Sequence, residues 1–340
     1  MNVPLLLAPM AEISHRPFRE LLESFGGCDY YYSEMISSPA FCAGGPFEAW
    51  YADAGPVPSK TVYQLVGSDP QKLAEAAALL DSKECAGIDL NMGCSAPAIT
   101  RHGAGVRWME SIDRAGAMTA LVRKAVKHRL SVKLRTGYSD DFDYLVRFCR
   151  RLQDEGVELI TLHPRTAKEK FRRRCRWEYI PALRRELKIP VAGNGDISSA
   201  QEMVQRGGDC DAVMIGRLAV KQPWVFADAK ALAAKAANAA KAETPQTAGL
   251  GDLQPGDLDA PLTAVTAELI LETGLRFLAL LARYQPPEFH LSRARRFFNY
   301  FCDNLKWGNY VKNTLNREVD LAGIERVWKA YFIEHEGEDI

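Results

Sequence analysis

The residues able to do chemistry recur along the first two-thirds of the chain, each just after a short apolar run. Gly87-Ile88-Asp89-Leu90-Asn91-Met92-Gly93-Cys94 carries a thiol out of an apolar stretch into a glycine turn. A cysteine so placed, in a chain without a disulfide pattern, is a candidate for chemistry; taken alone it would more often be a small buried hydrophobe. The other runs end in Met10, Glu34, Gln64, Lys133 with Arg135, His163 with Arg165, Asn194 with Asp196, and Gly216 with Arg217. One or two such endings would merely meet water. Eight of them, counting Asn91 with Cys94, point to a binding site at one rim. Gly193-Asn194-Gly195 and Gly216-Arg217 have the make-up of loops that cradle a phosphate, with Arg217 as a forked donor. Lys133, within an apolar strand, needs an anionic partner. Gln64 and Asn194 offer amides suited to the edge of a heterocycle. A reduced flavin meets these demands, and another phosphorylated ligand would fit the residue types equally.

The elements that must position these groups are eight apolar segments at 5–10, 30–35, 61–66, 87–94, 131–136, 159–163, 189–196 and 212–217. Most are followed by helical spacing, as at 16–25, 142–155 and 199–206; Asp69 can cap a helix with Pro70 at its first position. Continuous apolar strands alternating with helices make a parallel sheet covered on both faces. Eight such units in just over 200 residues predict an α/β fold, a (β/α)8 TIM barrel, over residues 1–228. An open doubly wound sheet would show G-x-G-x-x-G after its first strand, and none is there. Residues 229–260 read as an Ala/Lys-rich extension and flexible linker, and 261–340 as a small helical bundle of three or four helices. In that bundle Phe297 and Phe298 are expected in the core, and Arg293, Arg295 and Arg296 at the surface.

Composition narrows the partners. Of 340 residues, 43 are Lys or Arg and 43 are Asp or Glu, so any nucleic-acid contact must rest on local patches. One patch is the run Arg165, Lys168, Lys170, Arg172, Arg173, Arg174 and Arg176, which holds one acid, Glu169. Most such runs are solvated loops; after the sixth strand of a barrel this one lies where phosphates would be gripped. The eight cysteines are scattered without a C-x-x-C pair, so neither disulfides nor a metal site is expected. No signal peptide or membrane-length apolar run is evident, and a cytoplasmic monomer is expected.

Taken in order, the motifs resemble those of the tRNA-dihydrouridine synthases, FMN-dependent enzymes that reduce the C5=C6 bond of uridine in tRNA. They are Ala8-Pro9-Met10-Ala11 with Arg16-Pro17-Phe18-Arg19, Gln64-Leu65-Val66-Gly67-Ser68-Asp69-Pro70, Asp89-Leu90-Asn91-Met92-Gly93-Cys94 with Gly103-Ala104-Gly105, Val132-Lys133-Leu134-Arg135, His163 with Arg165-Thr166, Gly193-Asn194-Gly195-Asp196, and Met214-Ile215-Gly216-Arg217. The resemblance implies that Pro9, Met10 and Ala11 contact FMN through their backbone. It implies that Gln64, Lys133, His163, Asn194, Gly195, Asp196, Gly216 and Arg217 bind its ring, ribityl and phosphate parts. It makes Cys94 the general acid and places Asn91, Arg135, Arg165, Arg172, Arg173 and Arg174 on the substrate side. NADPH would reduce FMN, a flipped uridine would take hydride at C6, and Cys94 would protonate C5. The barrel and the helical domain would form the groove that holds tRNA. Ser95 stands where the family usually has proline. Two other readings compete: a flavin barrel acting on a small molecule, of dihydroorotate-oxidase or ene-reductase type, and a non-catalytic RNA-binding relative. The basic run and helical domain weigh against the first, and Cys94 with Lys133 against the second.

Overall fold

A computed structural model of the chain describes residues 3–170, 172–242 and 263–337. Its strands are β1 (Leu5–Leu7), β2 (Tyr30–Ser37), β3 (Thr61–Val66), β4 (Gly87–Met92), β5 (Arg129–Gly137), β6 (Leu159–Thr166), β7 (Val191–Asn194) and β8 (Ala212–Ile215). They pair in parallel, in sequence order, and β8 closes on β1. This is the expected TIM barrel. Strands buried on both faces cannot show polar alternation, which is why they read as continuous apolar runs. Their inward side chains, Leu6, Ala8, Tyr32, Val62, Leu159, Ala192, Ala212 and Met214, make the barrel interior. The alternate residues, such as Leu7, Ile88, Val132 and Ile160, pack with the surrounding helices.

Asp69 caps the helix Pro70–Asp81 by accepting from the N–H groups of Gln71 and Lys72. Ser199 caps Ala200–Arg206 in the same way at Glu202. Only β3 keeps the expected bounds; the others shift by a few residues, and two of these shifts have a clear cause or consequence. β7 begins after Pro190, which has no N–H to give the ladder and serves only as the acceptor for Ile160. β6 runs on to Thr166, so Arg165 belongs to the strand and not to the loop after it.

The helix Val225–Ala242 passes position 228 without a break, and the remainder of the expected linker, 243–260, lies outside the described residues. Helices Ala267–Tyr284, Pro287–Phe301, Gly308–Leu315 and Leu321–Glu334 follow. Phe277 stacks on Phe297 at 3.9 Å, with Phe298, Phe301 and Trp328 around them. This bundle docks on the barrel where Phe18 meets Phe297 at 6.2 Å and His15 meets Phe277 at 6.0 Å. One expectation fails here. Arg296 is exposed, but Arg293 is only 1% exposed, because Glu34 within β2 supplies a countercharge 2.9 Å away. No helix among the described residues is long and apolar enough to cross a membrane.

Candidate active site

Asp89 and Asn91 lie two apart on β4 and therefore face the same way, into the barrel. Strand pairing sets Gln64 and Ser131 level with Asp89, and Lys133 level with Asn91. Polar groups at this depth need partners, and these find one another. Ser131 Oγ donates to Asp89 Oδ1 at 2.6 Å, and Gln64 Nε2 donates to Asp89 Oδ2 at 2.6 Å. Asn91 Nδ2 donates to Gln64 Oε1 at 2.8 Å, and Asn91 Oδ1 accepts from the N–H groups of Gly93 (3.2 Å) and Cys94 (2.9 Å). The carboxylate sets the direction of the whole chain. It only accepts, so Gln64 turns its NH2 inward, which leaves its oxygen for Asn91 and the Asn91 oxygen for the cysteine turn. Burial pushes the Asp89 carboxyl up to about 6 against the pull of Ser131 and Gln64, which leaves it ionised at neutral pH.

The half-buried Cys94 is held from further sides. Arg135 Nε donates to the Gly93 carbonyl at 3.0 Å, and the Val106 N–H donates to the Cys94 carbonyl at 3.0 Å. Gly105 sits at φ +63°, and a Cβ there would strike the Cys94 carbonyl. Beside this turn the Lys133 ammonium has no hydrogen-bond acceptor among the described residues. Burial and Arg135 push it down to about 8, with Asp89 opposing.

The opposite side of the mouth is built on Arg165. Its Nη2 reaches both oxygens of Asp196 (2.7 and 2.5 Å), and its Nε donates to the Arg173 carbonyl at 2.6 Å. Its Nη1 lies 2.9 Å from His163 Nε2. Burial first, then Lys133, Arg135 and Arg165, hold His163 well below the ordinary imidazole range. A neutral ring facing an obligate donor accepts at Nε2 and carries its proton on Nδ1. Burial opposes ionisation of Asp196, but the Arg165 hydrogen bond prevails and its carboxyl titrates low. Asn194 Nδ2 donates to the Met214 carbonyl at 2.8 Å. Gly195, at φ +131°, leaves the space beside His163 that a Cβ would crowd to 3.0 Å.

The structure thus gathers Gln64, Asn91, Cys94, Lys133, His163, Asn194, Gly195 and Asp196 at the carboxyl ends of the strands. Gly216 borders Met10 of the β1 loop, where Pro9 is half-buried and Ala11 exposed, and Arg217 is exposed with its Nη2 3.6 Å from Asp196. Arg135 and Arg165, 7% and 2% exposed, are placed as struts within this frame. Of the basic run, Arg176 is taken up by Glu169 (2.6 Å) and Asp140 (2.8 Å), whereas Arg172, Arg173 and Arg174 are exposed. Asp89 and Ser131 are the structural groups that residue types alone did not single out. Their signal was polar residues at alternate positions of otherwise apolar strands. Other concentrations of polar groups lie elsewhere. Asp81, Cys85 and His128 come within 4.8 Å of one another at the amino end of the strands, where Asp81 accepts from the N–H groups of Lys127 and His128.

The donor set fits an anionic, phosphate-bearing ligand with a heterocyclic ring: a half-buried cation, the Asn194 amide of fixed polarity, and glycines beside an exposed arginine at the β7 and β8 ends. A family model described as dihydrouridine synthase (Dus) matches residues 6–250. A tRNA-dihydrouridine synthase B of Pectobacterium carotovorum is 28% identical over 338 residues, covering 96% of this chain and 95% of the relative. One of the same name from Xanthomonas campestris is 34% identical over 258 residues, covering 75% and 76%. A probable tRNA-dihydrouridine synthase of Aquifex aeolicus is 32% identical over 233 residues, covering 66% and 72%.

Proposed function

This chain belongs to the dihydrouridine synthase family, and from that premise we infer that it is a flavin-dependent oxidoreductase that reduces uridine in tRNA to dihydrouridine. FMN is the flavin we assign and NADPH its reductant, with the work done in the cytoplasm. The observation that most supports a flavin is Lys133, a half-buried ammonium without an acceptor among the described residues, level with Asn91 and beside the cysteine turn. When bound, FMN supplies the hydride that saturation of a C5=C6 bond requires.

The chain's own residues do the rest. Lys133 would face the negative charge of the ring, and Asn194, its Nδ2 held by the Met214 carbonyl, would offer its oxygen to the ring edge. Gln64, expected on the ring from the sequence, is fully buried with both ends of its amide taken by Asp89 and Asn91, so it acts by holding Asn91. The backbone of Gly195, Asp196 and Gly216, with Arg217, takes the phosphate, and Pro9, Met10 and Ala11 line the β1 side. The target base must leave its stack to enter the mouth. Cys94 gives its Sγ proton to C5 as hydride arrives at C6, and water restores the thiol. Arg172, Arg173 and Arg174 hold RNA phosphates outside the mouth. The test is Cys94→Ala with tRNA and NADPH. Dihydrouridine formation falls by about 10²- to 10⁴-fold or more while FMN stays bound. Undiminished product would remove Cys94 from the reaction, and a chain unable to take up FMN would overturn the flavin reading.

A further inference from the structure

The loop between β1 and the helix Arg16–Glu23 carries Pro9, Met10 and Ala11. One side of it is fixed locally. The Met10 N–H donates to Ser14 Oγ at 2.9 Å, and the N–H groups of Ile13 and Ser14 close on the Met10 carbonyl. Its other side has no such closure. Glu12 stands at φ +63°, in the left-handed region that a residue bearing a Cβ rarely adopts without outside support.

That support comes from Glu34 of β2 and from the helical bundle behind it. The Glu12 N–H donates to Glu34 Oε1 at 2.5 Å, and Glu34 Oε2 accepts from Arg293 Nη2 at 2.9 Å. The Glu12 carboxylate accepts from Arg296 Nε at 2.9 Å and Nη2 at 2.7 Å. Arg293 and Arg296 are three apart on the helix Pro287–Phe301, so one helix face reaches the Glu12 carboxylate directly and the Glu12 amide through Glu34. Glu34 is 3% exposed, and Arg293 packs its guanidinium over Phe289 at 4.2 Å. Charges at that depth persist only when paired. Docking of the bundle needs none of this, since Phe18, Phe297, His15 and Phe277 already form an apolar contact. The ionic link ends on the backbone of the β1 loop.

We propose that Arg293 and Arg296, acting through Glu34 and Glu12, are positioning residues of the flavin site, so that the helical bundle holds the β1 loop in the form that receives the cofactor. The proposal rests on the flavin reading given above. It makes the bundle part of the cofactor site as well as a candidate RNA surface.

The experiment uses the full chain freed of flavin, titrated with FMN by fluorescence, with its melting temperature and the amide exchange of residues 8–15 followed in parallel. Two variants separate the loop from the fold. Arg296→Ala removes an exposed partner and leaves no buried charge alone. Glu34→Met with Arg293→Met removes both buried charges together, which is usually tolerated. FMN dissociation constants are expected to rise about threefold in the first and about tenfold in the second. Exchange at the Glu12 amide quickens, melting of the flavin-free chain moves by only a few degrees, and Arg296→Lys recovers part of the affinity. Unchanged FMN affinity in these variants, with the unaltered chain binding normally, overturns the proposal. So does an affinity loss that merely tracks a lower melting temperature. If the double variant fails to fold, Arg296→Ala decides alone. An unaltered chain that takes up no FMN removes the flavin reading, and this proposal with it.

Discussion

Asn91→Asp is nearly isosteric, yet it reverses the demand at one link of the hydrogen-bond chain beneath Cys94. A carboxylate at 91 still accepts from the N–H groups of Gly93 and Cys94, but its second oxygen faces Gln64 Oε1, now 2.8 Å from Asn91 Nδ2. Where Asp89 is ionised, above about 6, Gln64 cannot turn over in response, because its oxygen would then face Asp89 Oδ2, now 2.6 Å from Gln64 Nε2. A buried acceptor left without a donor costs about 1–3 kcal/mol, and a second carboxylate on the same strand face brings the expected loss to about 3 kcal/mol. Protonation of the new carboxyl restores a donor toward Gln64 and cancels the loss. About 3 kcal/mol corresponds to about two pKa units, so the group titrates near pH 6, against about 3.9 unfolded. The sign follows. A raised folded pKa gives no deficit below about pH 4, a growing one from about 4 to 6, and a full one above. Urea unfolding of the variant and the unaltered chain at about pH 5 and about pH 7.5 reads the difference at each pH. Alkylation of Cys94, located by mass spectrometry, reports the loosened turn. Equal stability at the higher pH, or a deficit flat across the range, would refute the polarity assigned to the chain. Asn91→Ala serves as comparator, since its deficit contains no titrating group.

Two further outcomes are expected. Lys133 titrates in the fold at about 8, below its unfolded value, so its burial penalty is complete at neutral pH and fades as pH rises from about 8 toward about 10.4. Lys133→Met should therefore raise the melting temperature of the flavin-free chain at neutral pH, raise it less in alkali, and weaken FMN binding; a lowered melting temperature would contradict the unpaired state of that ammonium. Replacing Arg172, Arg173 and Arg174 together by alanine should leave FMN uptake intact and cut the salt slope of log K for tRNA by about two to three. An unchanged slope would take this loop off the RNA.

The barrel was legible because its physics is local. A strand covered on both faces has to be apolar throughout, and eight such runs with helices between them leave few other arrangements. The rim was legible for the same reason: once the runs are strands, their polar endings share one face of the barrel. What could not be read is which charges pair. Arg165, Arg172, Arg173, Arg174 and Arg176 form one basic run, yet Asp196 takes Arg165 inside, Glu169 and Asp140 take Arg176, and three remain outside. Arg293 and Arg296 satisfy the same amphipathic spacing, but Glu34 buries one of them from far along the chain. Helical periodicity records how often a side chain turns toward the core. It does not record what stands opposite, and for an arginine the opposite group decides between core and surface.

Ser95 shows the reverse case, a departure at one position offset by contacts made elsewhere. A proline after the cysteine would stiffen the turn from within by fixing its own φ. Here the stiffness comes from outside. Asn91 holds the N–H groups of Gly93 and Cys94, Arg135 holds the Gly93 carbonyl, and Val106 holds the Cys94 carbonyl across a gap that Gly105 keeps open. None of these bonds uses residue 95. The thiol is therefore presented by the barrel interior, along a line that runs from Ser131 through Asp89, Gln64 and Asn91, and the residue that follows it is left open to substitution.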